Sequence, residues 1–168
     1  MKKEISGKVY TFGDNIDTDQ IYPGRYLELT EKEEIAQHAM EGVDESFTER
    51  FKRGGILVAG SNFGCGSSRE HAAITLKEIG VSILLAESFA RIFYRNCINL
   101  GLPLLICDDI SKKVDEGNKL EVNLETGEIK NLTKDEIYQG EQLTDYALNI
   151  LEAGGIKPLL KEKYSKDK

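Results

Sequence analysis

Gly64-Cys65-Gly66-Ser67-Ser68-Arg69-Glu70-His71 sets glycines, two hydroxyls and a guanidinium at one junction. Before it, Gly55-Ile56-Leu57-Val58-Ala59-Gly60 is a short apolar block between glycines and reads as a buried strand. After it, Ala72-Ala73-Ile74-Thr75-Leu76-Lys77-Glu78-Ile79 recurs with helical spacing, and Gly80 closes a helix expected over 68–79. A strand running through flexible backbone into a helix gathers free N–H donors beside an arginine, which suits the holding of carboxylates.

Working outward, Val81 to Glu87 reads as the next strand, Phe89 to Asn96 as a helix, and Leu102 to Cys107 as a strand that tolerates Pro103 only near its start. Phe89, Ile92 and Phe93 are expected on one helix face, and Phe89, Phe93 and Tyr94 in the core. The alternation predicts a parallel core with right-handed crossovers. Upstream, Ile5 to Thr11 is an opening strand and 14–19 a polar turn. Thr30 with Glu33 has the form of a capping box for a helix ending near Gly42, with a second short helix over 45–51. Downstream, 119–124 alternates with period two and turns into 129–132, a hairpin on an antiparallel margin. Thr144 to Ala153 reads as a helix and 157–168 as a fraying tail, with about 160–168 flexible. One domain spanning 1–168 is expected.

A formal charge of -7 argues against nonspecific binding to nucleic acid or anionic lipid. The longest apolar blocks are too short to span a bilayer, and Met1-Lys2-Lys3-Glu4 has no apolar segment behind it, so neither membrane span nor signal peptide is expected. Cys65, Cys97 and Cys107 cannot all pair and lack C-x-x-C spacing; with His38 and His71 they make a self-contained metal or iron–sulfur site improbable, and they fit the cytoplasm. The glycine-rich 60–66 lacks the lysine of a phosphate loop.

Asn62 to Ala73 resembles the signature of the swivelling domain of aconitase-type hydro-lyases, and the cysteine before the second glycine resembles the small subunits of 3-isopropylmalate dehydratase and homoaconitase. Asn15-Ile16-Asp17-Thr18-Asp19-Gln20-Ile21 with Gly24-Arg25-Tyr26-Leu27, Glu87 to Asn96, and Leu151 to Ile156 are similar to further motifs of that family. The resemblance covers the chain nearly end to end. It implies an α/β fold, the aconitase-like swivelling β/β/α domain, a mixed sheet with a parallel core and flanking helices. It also implies a partner, a large subunit carrying a [4Fe-4S] cluster, with no cofactor or metal bound by this chain and a hydroxy-dicarboxylate as substrate. The isolated chain is open to forming a homo-oligomer.

By the same resemblance Ser67 is the general base and Arg69 binds a substrate carboxylate, with Ser68 nearby and Asp19 orienting a histidine or partner groups. Arg25, Tyr26, Leu27, Glu28 and Leu29 form the substrate-sorting segment. Glu28 stands where homoaconitases are expected to place an arginine, so it disfavours a distal carboxylate; isopropylmalate is the expected substrate, with homocitrate, methylmalate or dimethylmalate as alternatives. Plainer roles compete at each position. Ser67 or Ser68 serves as a helix N-cap, Arg69 as a surface ion pair, His71 as a packed hydrogen-bonded ring, and Arg91 and Arg95 as interface groups or internal ion pairs. A noncatalytic binding module is the reading of a different class.

Overall fold

The computed structural model describes residues 3–166. Met1 and Lys2, and Asp167 and Lys168 at the end of the expected tail, lie outside the described residues. One sheet of seven strands organises the chain, in the order β4-β3-β2-β1-β5-β6-β7. Four strands, β1 (Glu4–Thr11), β2 (Ile56–Ala59), β3 (Ile83–Ala86) and β4 (Leu104–Ile106), run parallel. Across β1 the sheet continues antiparallel through β5 (Lys119–Asn123), β6 (Glu128–Asn131) and β7 (Glu136–Gln139).

The two halves carry different sequence patterns for one physical reason. Ile56–Ala59 and Ile83–Ala86 are buried at every position, as strands covered on both faces must be. β5 instead alternates, with Leu120 and Val122 inside and Lys119 exposed, because one face of the antiparallel half meets solvent. β1 joins them: Val9 to Thr11 pair with β2, and Glu4 to Lys8 pair with β5.

Helix α4 (Glu70–Ile79) buries Ala72, Ala73, Thr75 and Leu76, and Thr75 Oγ1 donates to the Ile35 carbonyl at 2.7 Å, tying it to α2 (Lys32–Ala36). Helix α5 (Arg91–Leu100) buries Phe93, Cys97 and Ile98. Shorter helices are α1 (Thr18–Ile21), α3 (Phe47–Arg50) and α6 (Ile110–Lys113). The chain finishes with α7 (Asp145–Ala153), capped by the Thr144 hydroxyl on Ala147 N, and α8 (Ile156–Lys166).

Several expectations are corrected. No Thr30 capping box forms: α2 begins after Glu31, whose side chain makes no cap, and it ends at Ala36. Backbone bonds from Met40 N to Ile21 O (2.7 Å) and Gly42 N to Gln20 O (2.9 Å) pull the following residues onto α1, and this tertiary pairing overrides helix propagation. Helix α4 starts at Glu70 and not at Ser68. Phe89 precedes α5 and escapes its periodicity, while Ile92 is 54% exposed, so the expected three-residue apolar face does not exist. Helix α8, over most of the stretch read as a tail, and α1, α6 and β7 were not expected.

Gly64 holds the junction against α5. It has φ +85°, and a Cβ there would lie 2.2 Å from Phe93 Cγ. Gly64→Ala is expected to cost roughly 2–4 kcal/mol in denaturant unfolding, from overpacking together with left-handed strain. Gly13→Ala, where nothing lies within 4 Å, is the control and is expected to change stability by less than about 0.5 kcal/mol. Equal effects at the two sites would contradict this account of the packing.

Candidate active site

The site forms where the ends of β1 and β2 run past the sheet side by side. Backbone bonds continue beyond the strands: Asn15 N to Ser61 O at 2.8 Å, Gly64 N to Ile16 O at 2.7 Å, and Thr18 N to Cys65 O at 2.8 Å. Asp14 and Ser88 fix the same loop, accepting from Ser61 N at 2.7 Å and Asn62 N at 2.7 Å. Asp17 caps α1 by accepting from Gln20 N (2.8 Å), and Gln20 Oε1 accepts in return from Asp17 N (2.9 Å). The capping box thus lies at Asp17 and Gln20, in the stretch read as a plain turn.

This lacing presents Ser67 and Ser68 to solvent while Arg69 is half-buried. Ser67 Oγ shares a hydrogen bond of 3.2 Å with Thr18 Oγ1, and Thr18 is buried. Among the described residues this is the only hydrogen bond to Ser67 Oγ. Neither serine caps α4, since the N-cap is Arg69 and no side chain bonds into that helix end. The partner of Ser67 Oγ is thus the hydroxyl of Thr18, a residue of the 14–19 stretch expected as a turn.

Arg69 Nη1 donates to Asp19 Oδ1 at 2.7 Å and lies 3.4 Å from the Tyr22 carbonyl; Gly24 N donates to the same Asp19 oxygen at 2.8 Å. Asp19 holds the arginine, and among the described residues it bonds no histidine. The Arg69 hydrogen bond and then the Gly24 N–H hold the Asp19 carboxyl below its usual 3.8. Nη1 makes the bonds to Asp19 and to the Tyr22 carbonyl, which leaves Nε and Nη2 as donors for a ligand.

The expected sorting segment is a 3-10 turn at Gly24–Tyr26, and Glu41 anchors it. Its carboxylate accepts from Arg25 Nη2 (2.9 Å), Tyr26 OH (2.8 Å) and His38 Nδ1 (2.5 Å). Tyr26 stacks on His38 with centroids 3.5 Å apart, and the Arg25 guanidinium sits 4.7 Å from the Tyr26 ring. Burial pushes the Glu41 carboxyl up, but the bonds from His38, Tyr26 and Arg25 outweigh it, so it rests below its usual 4.5. Arg25 is thereby committed to Glu41. Leu27 and Glu28 are exposed, and the Leu29 carbonyl accepts from His71 Nε2 at 3.3 Å. His71 also stacks on Tyr22 at 5.3 Å, a packed and bonded ring. Glu41 carried no motif that would have marked it.

A cleft of about 390 Å³ gathers Thr18, Ser67, Ser68 and Arg69 with Arg91 and Arg95 from α5. Arg25, Tyr26, Leu27, Glu28 and Leu29 lie outside its lining. An exposed hydroxyl paired to a second hydroxyl, beside a guanidinium held in place, can remove a proton from a carbon next to a bound carboxylate. The cysteines do not fit an iron–sulfur site: Cys97 and Cys107 are buried, Cys65 is half-buried, and the described residues contain no cluster of three or more Cys, His, Asp or Glu able to hold a metal. Among the described residues no helix is long and apolar enough to cross a membrane.

The family model for the aconitase C-terminal domain matches residues 2–109, and the chain belongs to this family, in its 3-isopropylmalate dehydratase small-subunit branch. It is 58% identical over 163 residues to the isopropylmalate/citramalate isomerase small subunit of Methanocaldococcus jannaschii, covering 97% of each chain. It is 51% identical over 152 residues to the 3-isopropylmalate dehydratase small subunit of Clostridium beijerinckii, covering 90% of this chain and 94% of that one. A crystal structure of 3-isopropylmalate dehydratase from Methanocaldococcus jannaschii superposes with a TM-score of 0.93 at 42% identity, covering 98% and 99% of the two chains.

The Glu41 carboxyl titrates lower folded than unfolded, so the unfolded chain binds more protons and stability rises with pH in that window. Its contribution is complete above the ordinary 4.5 and is lost as pH falls through the lowered folded value. Denaturant melts across that range are expected to show the decline, and Glu41→Gln should flatten it. An unchanged slope in the variant would contradict the anchoring role.

Proposed function

We propose that this chain is the small subunit of a 3-isopropylmalate dehydratase, which interconverts 2-isopropylmalate and 3-isopropylmalate by dehydration and rehydration in leucine biosynthesis. The observation that carries the reading is the single cleft in which an exposed Ser67, backed by Thr18, sits beside an Arg69 held by Asp19.

Ser67 Oγ takes the proton from the carbon next to a carboxylate. A serine hydroxyl is a weak base in water, so the alkoxide requires support. Thr18 Oγ1 donates to it, and the adjacent Arg69 cation lowers its energy once water is excluded. Arg69 orients the carboxylate through Nε and Nη2, and Asp19 keeps the guanidinium in position. Loss of that proton and of the neighbouring hydroxide leaves a carbon–carbon double bond. The proton held on Ser67 and a hydroxide then add back with positions exchanged, giving the isomer. In this reading a [4Fe-4S] cluster, held by a separate large subunit and not by this chain, would supply the Lewis acidity that hydroxide loss needs.

Exposure of the cleft supports the need for that partner. Ser67 and Ser68 are open to water and Ile92 on the rim is 54% exposed, so a covering surface is required before the electrostatics become strong. Citramalate is a second reading, favoured by the 58% identical relative whose name joins it to isopropylmalate.

The test is reconstitution with the large subunit under anaerobic conditions and assay on 2-isopropylmalate, citramalate, homocitrate and dimethylmalate. Turnover of 2-isopropylmalate is expected, and Ser67→Ala should lower kcat by about 10²–10⁴-fold. Arg69→Lys keeps the charge but loses the fork, and kcat/KM is expected to fall by about tenfold to a hundredfold. No turnover on any of the four, or full activity in Ser67→Ala, overturns the assignment and returns the chain to a binding module.

A further inference from the structure

The chain has six arginines. Arg25, Arg50 and Arg69 each pair with a carboxylate, and Arg53 donates to the Glu78 carbonyl. Arg91 and Arg95 are exposed, and among the described residues neither side chain makes a hydrogen bond or ion pair. Their placement works against the stability of α5. Arg91 stands in the first turn, at the positive end of the helix dipole, with no acidic residue in that turn to offset it. Arg95 lies one turn on, so the two cations are like-charged neighbours at i, i+4. Both line the cleft that holds Ser67 and Arg69, and no aspartate or glutamate lines it. A chain of net charge -7 thus concentrates three guanidiniums around one cleft, two of them without a protein acceptor.

We propose that Arg91 and Arg95 bind the second carboxylate of the dicarboxylate substrate, across the cleft from the carboxylate held by Arg69. This rests on the proposed function for the identity of the substrate. Arg69 is already oriented by Asp19 and suits a fixed carboxylate next to the reacting carbon. Arg91 and Arg95 have no internal partner, so their donors and charge are available to attract and hold the other end. Two cations focused in a cleft also raise the capture rate of a dianion, an effect that salt weakens.

Two measurements test this, and they fail independently of the assignment above. In the reconstituted complex, Arg91→Gln and Arg95→Gln are each expected to raise KM for 2-isopropylmalate by about tenfold or more, with kcat changed far less. The salt dependence of kcat/KM should become shallower, and Arg91→Lys and Arg95→Lys should recover part of the loss. In the full chain alone, titration with succinate followed by NMR should shift the arginine Nε–H signals of Arg91 and Arg95 saturably. That second arm reads the site even if the complex proves inactive on 2-isopropylmalate. An unchanged KM, a weakened association with the large subunit at normal KM, or succinate shifts confined to Arg69 would each overturn the inference; the second would assign the pair to subunit docking.

Discussion

The parallel pairing of β1 with β2 does not stop where the strands do. It continues through Asn15 N to Ser61 O, Gly64 N to Ile16 O and Thr18 N to Cys65 O, so two loops from distant parts of the sequence are laced as one layer. Each of these amides would otherwise be a donor without a protein acceptor, and leaving such groups unpaired is costly when they are removed from water. The register of this lacing sets Thr18 against Ser67 and Asp19 against Arg69, pairs separated by 49 and 50 residues. A shift of one residue in either loop would break both pairs. The chemistry proposed for the cleft therefore depends on a backbone constraint that contains no catalytic side chain.

Around that layer the electrostatics divide the site into a held part and a free part. Arg69 is fixed by Asp19, and Arg25 is drawn by Glu41 onto the Tyr26 ring, away from the cleft lining. Arg91 and Arg95 have no internal acceptor among the described residues. Neither serine hydroxyl is sheltered from water, and an alkoxide in that setting gains little from nearby charge. On the proposed function this is half of a site, which the large subunit completes by closing over it.

Much of the fold was legible in the sequence because its parallel strands are unbroken apolar blocks between glycines, and its margin alternates with period two. The segment 30–42 was misread because Thr30 and Glu33 satisfy a local capping pattern, whereas the backbone of Met40 and Gly42 pairs with that of Ile21 and Gln20, far upstream. Strand β7 was missed because Glu136, Ile137 and Gln139 are exposed, and only Tyr138 is buried. Ser67, Ser68, Arg69 and Asp19 were found through a family motif and do lie together. Thr18 could have been found from the Asp17 and Gln20 capping pair, which places it at the start of a helix with its side chain turned inward. Glu41 could not, since its role arises only when Arg25, Tyr26 and His38 converge on it.

The most direct test is a crystal structure of this chain assembled with the proposed cluster-bearing large subunit and a bound isopropylmalate analogue. The account predicts Ser67 Oγ at about 3–3.5 Å from the carbon that gives up its proton, with Arg69 on the adjoining carboxylate. An analogue bound in the closed complex with Ser67 facing away from it, or with Arg69 still engaged only by Asp19, would contradict the central claim.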